Sequence, residues 1–145
     1  VTAPKIDFYL LSDAEPRARL RTACRLAEKA YDQGLRVALR TADPAEAAEL
    51  DELLWTFSDR SFVPHCLWPA DPGVVAETPV LIGSGTLPES HRDVLVNLGA
   101  DTPAGFENYA RVLEIVGAGE SDKALARNRW RRYREHGTDL ESHSL

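Results

Sequence analysis

Lys5-Ile-Asp-Phe-Tyr-Leu-Leu11 is an aromatic and branched run that ends in the polar pair Ser12-Asp13. Such a run reads as a buried strand entering a turn. Past Pro16, apolar residues fall at Leu20, Ala23, Cys24, Ala27 and Tyr31, the spacing of one helix face, and Gly34 stands where that helix must stop. Leu35-Arg-Val-Ala-Leu39 follows as a second strand. Asp43-Pro44-Ala45-Glu46 then offers an N-cap carboxylate, proline at the first helical position and a reciprocal glutamate, opening a helix that runs to about Trp55. Strand, helix, strand, helix at these separations predicts an α/β chain with three α/β/α layers and a mostly parallel central sheet. Parallel strands need a right-handed crossover that packs on the sheet, so both faces should be covered.

Further along, Ser61-Phe-Val-Pro-His65 is expected as a short strand and Trp68-Pro-Ala-Asp-Pro-Gly73 as a loop. Pro79-Val-Leu-Ile82 and Arg111-Val-Leu-Glu-Ile-Val116 read as strands, while Asp93-Val-Leu-Val-Asn-Leu98 fits a strand or a helix. Thr102-Pro103 can cap a short helix through Tyr109, and Ser121 precedes a last helix ending near Gly137. The expected organisation is one domain over residues 1–137 followed by a frayed tail at 138–145.

The 145 residues suffice to bury roughly 70% of the unfolded surface in one core. Composition is that of a globular chain, 43% hydrophobic and 28% charged, and no segment reaches the roughly 20 apolar residues of a membrane span. Val1 to Leu11 lacks the pattern of a secretory signal, which predicts a cytoplasmic protein. Cys24 and Cys66 form no C-x-x-C motif, so reduced thiols are expected rather than a disulfide framework or a zinc knuckle.

The net charge of −6 disfavours a protein whose main task is to grip nucleic-acid phosphates. Its distribution says more. Between Lys123 and Arg134 lie six basic residues and no acid, and setting their +6 apart from the total leaves −12 on the rest of the chain.

Nucleotide chemistry is the first possibility to try on this fold class. Gly83-Ser84-Gly85 follows a strand, but it lacks the phosphate-loop lysine and the third glycine of a dinucleotide loop, and the flanked serine does not match G-x-S-x-G. His65, His91, His136 and His143 show no metal-ligand spacing. No catalytic residue, metal or cofactor is predicted. An orphan nucleotide-binding enzyme using the Gly83 turn stands as the alternative.

On a helical wheel, Lys123, Arg127, Trp130 and Arg134 fall within about 60° of one another, with Arg131 at the edge. An indole ringed by cations suits an acidic partner with an aromatic end, the arginines taking a carboxylate in bidentate fashion. Single-stranded DNA fits the same residues by stacking and phosphate pairing, though the remaining −12 opposes it. Leu125, Ala126 and Tyr133 share the arc expected to face the sheet. Arg129 lies within that arc and needs a carboxylate or carbonyl partner. A second cluster, Leu53-Leu-Trp55 with Phe57, Phe62, Val63 and Pro64, fits core packing or an aromatic docking patch equally well.

Five segments together carry a resemblance: Phe8-Tyr-Leu-Leu11, Leu50-Asp-Glu-Leu-Leu-Trp55, Ser61-Phe-Val-Pro-His65, Arg92-Asp-Val-Leu-Val-Asn-Leu98, and Leu125-Ala-Arg127 with Arg131 and Tyr133. In order and spacing they resemble the chi subunit family of bacterial DNA polymerase III. The resemblance implies a clamp-loader accessory protein, not itself a polymerase, with a nucleotide-binding-like fold that holds no nucleotide. It implies two partners: the psi subunit, which tethers chi to the clamp loader, and the acidic C-terminal tail of single-stranded-DNA-binding protein, ending in Pro-Phe. By that resemblance Val116, Lys123, Arg127, Trp130 and Arg131 form the tail site, and Trp55, Phe62, Val63 and Pro64 the psi surface. Association with single-stranded DNA is then indirect.

Overall fold

A computed structural model describes residues 3–145. Its strands are β1 (Lys5–Leu10), β2 (Val37–Thr41), β3 (His65–Leu67), β4 (Val80–Ser84), β5 (Val94–Asn97), β6 (Arg111–Val116) and β7 (Asp139–Ser144). Four helices join them: α1 (Ala18–Asp32), α2 (Pro44–Thr56), α3 (Pro72–Glu77) and α4 (Glu120–Glu135). The seven strands form one sheet in the order β3-β4-β2-β5-β6-β1-β7, parallel throughout.

Alternation along each strand feeds two separate cores, which is why the central strands carry apolar residues at most positions on both faces. Val37, Leu39, Val80, Ile82, Val96 and Ile115 point to one face, under Leu20, Cys24 and Ala27 of α1 and Leu50 and Leu54 of α2. Ile6, Phe8, Ala38, Leu95, Val112 and Val116 point to the other, under Phe106, Tyr109 and the Ala126 and Tyr133 side chains of α4. Each fully buried leucine, isoleucine or phenylalanine contributes about 1.5–3 kcal/mol. Burial also raises the Cys24 thiol pKa to about 12, leaving it unreactive at neutral pH.

The cap at α2 forms as its sequence predicts: Asp43 Oδ1 accepts the Glu46 N–H at 2.8 Å, and Glu46 Oε1 reaches back to the Ala42 N–H at 3.1 Å. Other expectations shift. Asp93–Leu98 resolves as strand β5, the Ser61–His65 strand moves on to His65–Leu67, and the expected loop at 68–73 gives way to α3, capped by Asp71. The helix opened by Thr102-Pro103 is a 3₁₀ turn at Phe106–Asn108.

The largest difference is at the C-terminus, where the expected frayed tail is β7, paired with β1 along its whole length. Gly137, at φ +73°, makes the turn into it: its N–H bonds Arg134 O while the Thr138 N–H bonds Tyr133 O, closing α4 and reversing the chain. Side-chain clasps then hold β7. Asp7, fully buried, accepts from Arg111 Nε and His143 Nε2, both at 2.9 Å, and Lys5 pairs with Glu141 at 2.9 Å. Burial alone would raise the Asp7 pKa, but the bonds from His143 and Arg111 overcome it and hold the carboxyl below its ordinary value.

A buried histidine sits at the N-terminal ends of the central strands β4, β2 and β5. His91 Nε2 donates to Thr78 O at 2.5 Å while Nδ1 lies 2.7 Å from Ser90 Oγ, and the Arg36 guanidinium sits 3.1 Å away. Burial, reinforced by Arg36, lowers the imidazole pKa against the opposing pull of the Thr78 carbonyl. The unfolded chain therefore binds the proton more readily than the folded one, and stability present at neutral pH is lost as pH falls below about 6.5. Native protein should lose Tm more steeply between pH 7 and 5 than His91→Gln, which cannot titrate. Parallel curves for the two proteins would contradict this assignment.

Candidate functional site

The C-terminal part of β6, the whole of β1 and the edge strand β7 present one floor to α4. In their register Val116 lies beside Leu10 and Ser144, and Glu114 beside Phe8 and Ser142. Because residues two apart share a face, Phe8, Leu10, Val116 and Ser142 all point at the helix side. α4 covers only part of this floor. It leaves a groove of about 670 Å³, with those four residues on the sheet side and Lys123, Ala126, Arg127, Trp130 and Arg131 on the helix side.

The groove is apolar below and cationic along its rim. Trp130 is partly buried, its ring edge against Phe8 with centroids 5.1 Å apart, and Phe8 also meets Tyr133 edge-on at 5.9 Å. The indole is thus a wall of the groove rather than the free ring that the helical wheel suggests. Lys123 pairs loosely with Glu120 at 3.7 Å, in water, and Arg131 bonds the Asn128 side chain. Arg127 has no carboxylate partner among the described residues. A guanidinium with its fork free at the mouth of an apolar groove is disposed to take a carboxylate or phosphate.

All five residues assigned to the tail site line this one groove: Val116, Lys123, Arg127, Trp130 and Arg131. Arg134, grouped with them on the wheel, does not line it. Leu125 is also displaced from its expected place against the sheet and is 40% exposed. Arg129 takes the inward position instead, 5% exposed, with the carboxylate and the carbonyl its burial demands: Glu114 Oε1 and Ala100 O, each at 2.9 Å. Phe8, Leu10 and Ser142 were not singled out as site residues. The alternation of Ile6, Phe8 and Leu10 was the available signal for two of them, whereas Ser142 belongs to a strand with no apolar pattern.

The second predicted surface is split. Trp55 and Phe62 are 53% and 66% exposed, with ring centroids 5.7 Å apart, and Trp55 also leans on His65 at 4.4 Å. Pro64 is half-buried beside them. Val63 is a correction: it is 1% exposed and belongs to the core under α2, so its side chain offers nothing to a partner. This patch flanks edge strand β3, whereas the groove lies at β6, β1 and β7. The two edges are six strand spacings apart, roughly 29 Å.

Gly83 in the Gly83-Ser84-Gly85 turn answers to packing, since a Cβ there would lie 2.8 Å from a Leu87 methyl carbon. Asp7, Glu141 and His143 bring three ligand-type atoms together, but Arg111 and Lys5 already answer the two carboxylates, and the group serves as the β7 clasp. No helix among the described residues is long and apolar enough to cross a membrane.

Residues 4–141 match the family model of the DNA polymerase III chi subunit, HolC. The chain is 45% identical over 141 residues to the DNA polymerase III subunit chi of Pseudomonas aeruginosa, covering 97% of this chain and 96% of that protein. It is 33% identical over 140 residues to the subunit chi of Escherichia coli, covering 93% and 94%. Against the subunit chi of Haemophilus influenzae it is 28% identical over 144 residues, covering 99% of both.

Proposed function

Because the chain belongs to the DNA polymerase III chi subunit family, we propose that it serves replication as a non-catalytic adaptor in the cytoplasm, holding psi on one edge and the C-terminal tail of single-stranded-DNA-binding protein on the other. The observation that carries the tail assignment is the groove itself, which pairs an apolar floor with the unpartnered Arg127 fork. A terminal phenylalanine has Phe8, Val116 and Trp130 to pack on while its α-carboxylate meets Arg127. Acidic residues upstream then run along Lys123 and Arg131. At about 670 Å³ the groove falls among the roughly 300–1,000 Å³ sites that bury small ligands, which suits the last residues of a peptide.

Direct capture of single-stranded DNA is the weaker reading. One basic helix on a chain of net charge −6 offers a short polyanion track, and the acidic remainder repels the phosphates that extend past it. The aromatic pair Trp55 and Phe62 supplies the anchors expected of the psi surface. Roughly 29 Å between the sheet edges lets both partners bind at once.

Titration with an acidic peptide ending in Pro-Phe tests this, followed by calorimetry or tryptophan fluorescence. Micromolar binding that weakens with salt is expected. Capping the peptide as its carboxamide removes a charge-assisted pair and should weaken it about tenfold or more. Equal binding of the capped peptide, or tighter binding of a naked oligonucleotide, overturns the assignment. Trp55→Ala with Phe62→Ala should release psi and leave peptide affinity unchanged. Loss of both together contradicts two separate surfaces.

A further inference from the structure

α4 buries Ala126, Arg129 and Tyr133 against the sheet, and Trp130 adds a partly buried ring packed edge-on against Phe8. Apolar contact is largely non-directional, so this seat holds a 16-residue helix to the sheet more firmly than it sets its rotation or its position along its axis. Directional bonds accepted by one buried carboxyl group are suited to set both. Glu114 of β6 is wholly buried; its Oε1 accepts from Arg129 Nε at 2.9 Å and its Oε2 from Tyr133 OH at 2.5 Å. Asn97 Nδ2 steadies both oxygens, at 3.0 and 2.9 Å. Asn97 is itself fixed from the other side by Arg40 Nη1 at 2.8 Å and the Gly99 N–H at 3.0 Å.

One buried carboxylate thus grips two residues a helical turn apart, each on a different oxygen. A slide of one turn, about 5.4 Å, or a rotation of one residue breaks both bonds. Trp130 and Arg131 lie between the gripped residues and Arg127 two positions before them on the same helix, so whatever sets the azimuth of Arg129 and Tyr133 also sets the rim of the groove.

We propose that Glu114 is a positioning residue for the groove: through Arg129 and Tyr133 it fixes the rotation and register of α4, and with them the placement of Arg127, Trp130 and Arg131. Buried ion pairs are often replaceable by apolar residues without loss of stability, and setting register is their best-attested use. The inference rests on the groove being the peptide site in its consequence for binding, but not in its consequence for α4.

The decisive variant is Glu114→Leu, Arg129→Leu, Tyr133→Phe, which removes the charges and the hydroxyl together and leaves an apolar seat. It should fold with a Tm near the native one, bind the acidic peptide about tenfold more weakly because the rim is no longer pre-organised, and show a shifted or broadened Trp130 indole resonance with faster amide exchange along α4. Native affinity together with a native indole resonance in this stable variant overturns the proposal. Tyr133→Phe alone cuts one of the two ties and should give a smaller loss of the same kind, which keeps the test decisive if the triple variant fails to fold. Should native protein not bind the peptide at all, the peptide reading fails, while the indole resonance and amide exchange still decide the role of Glu114.

Discussion

Arg127→Ala combined with Trp130→Ala should lose the acidic peptide by roughly a thousandfold while leaving the fold intact. A hydrogen bond to a charged group contributes about 1.5–3 kcal/mol, and an aromatic anchor at the centre of a site about 2 kcal/mol or more. Together these approach 4 kcal/mol, enough to take a micromolar complex to about millimolar. The two side chains touch the same ligand, so the double loss need not equal the product of the single ones. Arg127 is exposed and its removal breaks no ion pair, and Trp130 is only partly buried, so Tm should fall far less than affinity. Calorimetry or the anisotropy of a labelled peptide is the suitable measurement, since the fluorescence reporter is gone. A double variant that binds within tenfold of native places the peptide elsewhere.

The fold was legible where sequence patterns are strongly periodic. Lys5–Leu11, the α1 face and the Asp43-Pro44 cap each combine a local preference with a hydrophobic period that agrees with the global sheet, and each forms within a residue or two of its expected bounds. β7 was illegible for a physical reason. Asp139-Leu-Glu-Ser-His-Ser144 has almost no apolar pattern, because an exposed edge strand is held by the backbone ladder to β1 and by the Asp7–His143 and Lys5–Glu141 pairs. Those pairs join residues more than 130 positions apart, which no local window detects.

The site was legible in its charges but not in its floor. Arg129 declared itself as structural because an arginine on a buried arc must find an acceptor, yet its partner Glu114 was hidden as the single acid inside Arg111-Val-Leu-Glu-Ile-Val116. An acidic residue enclosed by branched apolar ones in a parallel strand is itself the signal, since burial raises the pKa of such a carboxyl and calls for donors; at Glu114 burial outweighs the opposing pull of Arg129, Tyr133 and Asn97, and the pKa stays above its ordinary value. Leu125 is exposed because the arc that α4 buries is centred near Tyr133. At 100° per residue, Arg129, Tyr133 and Ala126 lie about 40°, 80° and 100° from Leu125, so the true buried arc leaves Leu125 at its margin. Trp130, at about 140°, falls between the buried arc and the cationic one, which is why it is both packed on Phe8 and open to the groove.

Phe8→Ala should be the most destabilising single change to the site, and it separates the floor from the rim. The ring is 1% exposed and wedged edge-on between Trp130 and Tyr133. Truncating a buried phenylalanine costs about 3–5 kcal/mol, partly for lost transfer energy and partly for the cavity left behind. For a domain of this size that lowers Tm by roughly 10 °C or more, and it consumes much of a stability margin of about 5–15 kcal/mol. At a temperature where the variant remains folded, the peptide should still bind more weakly than to native protein, because Trp130 loses its support and can tip into the cavity. Arg127 and Lys123 would keep their charge, so the residual binding should become more salt-sensitive. Thermal unfolding and a peptide titration at 15 °C check both halves. A large fall in Tm with unchanged affinity would show that the aromatic floor serves the core alone, and that the rim cations bind the peptide unaided.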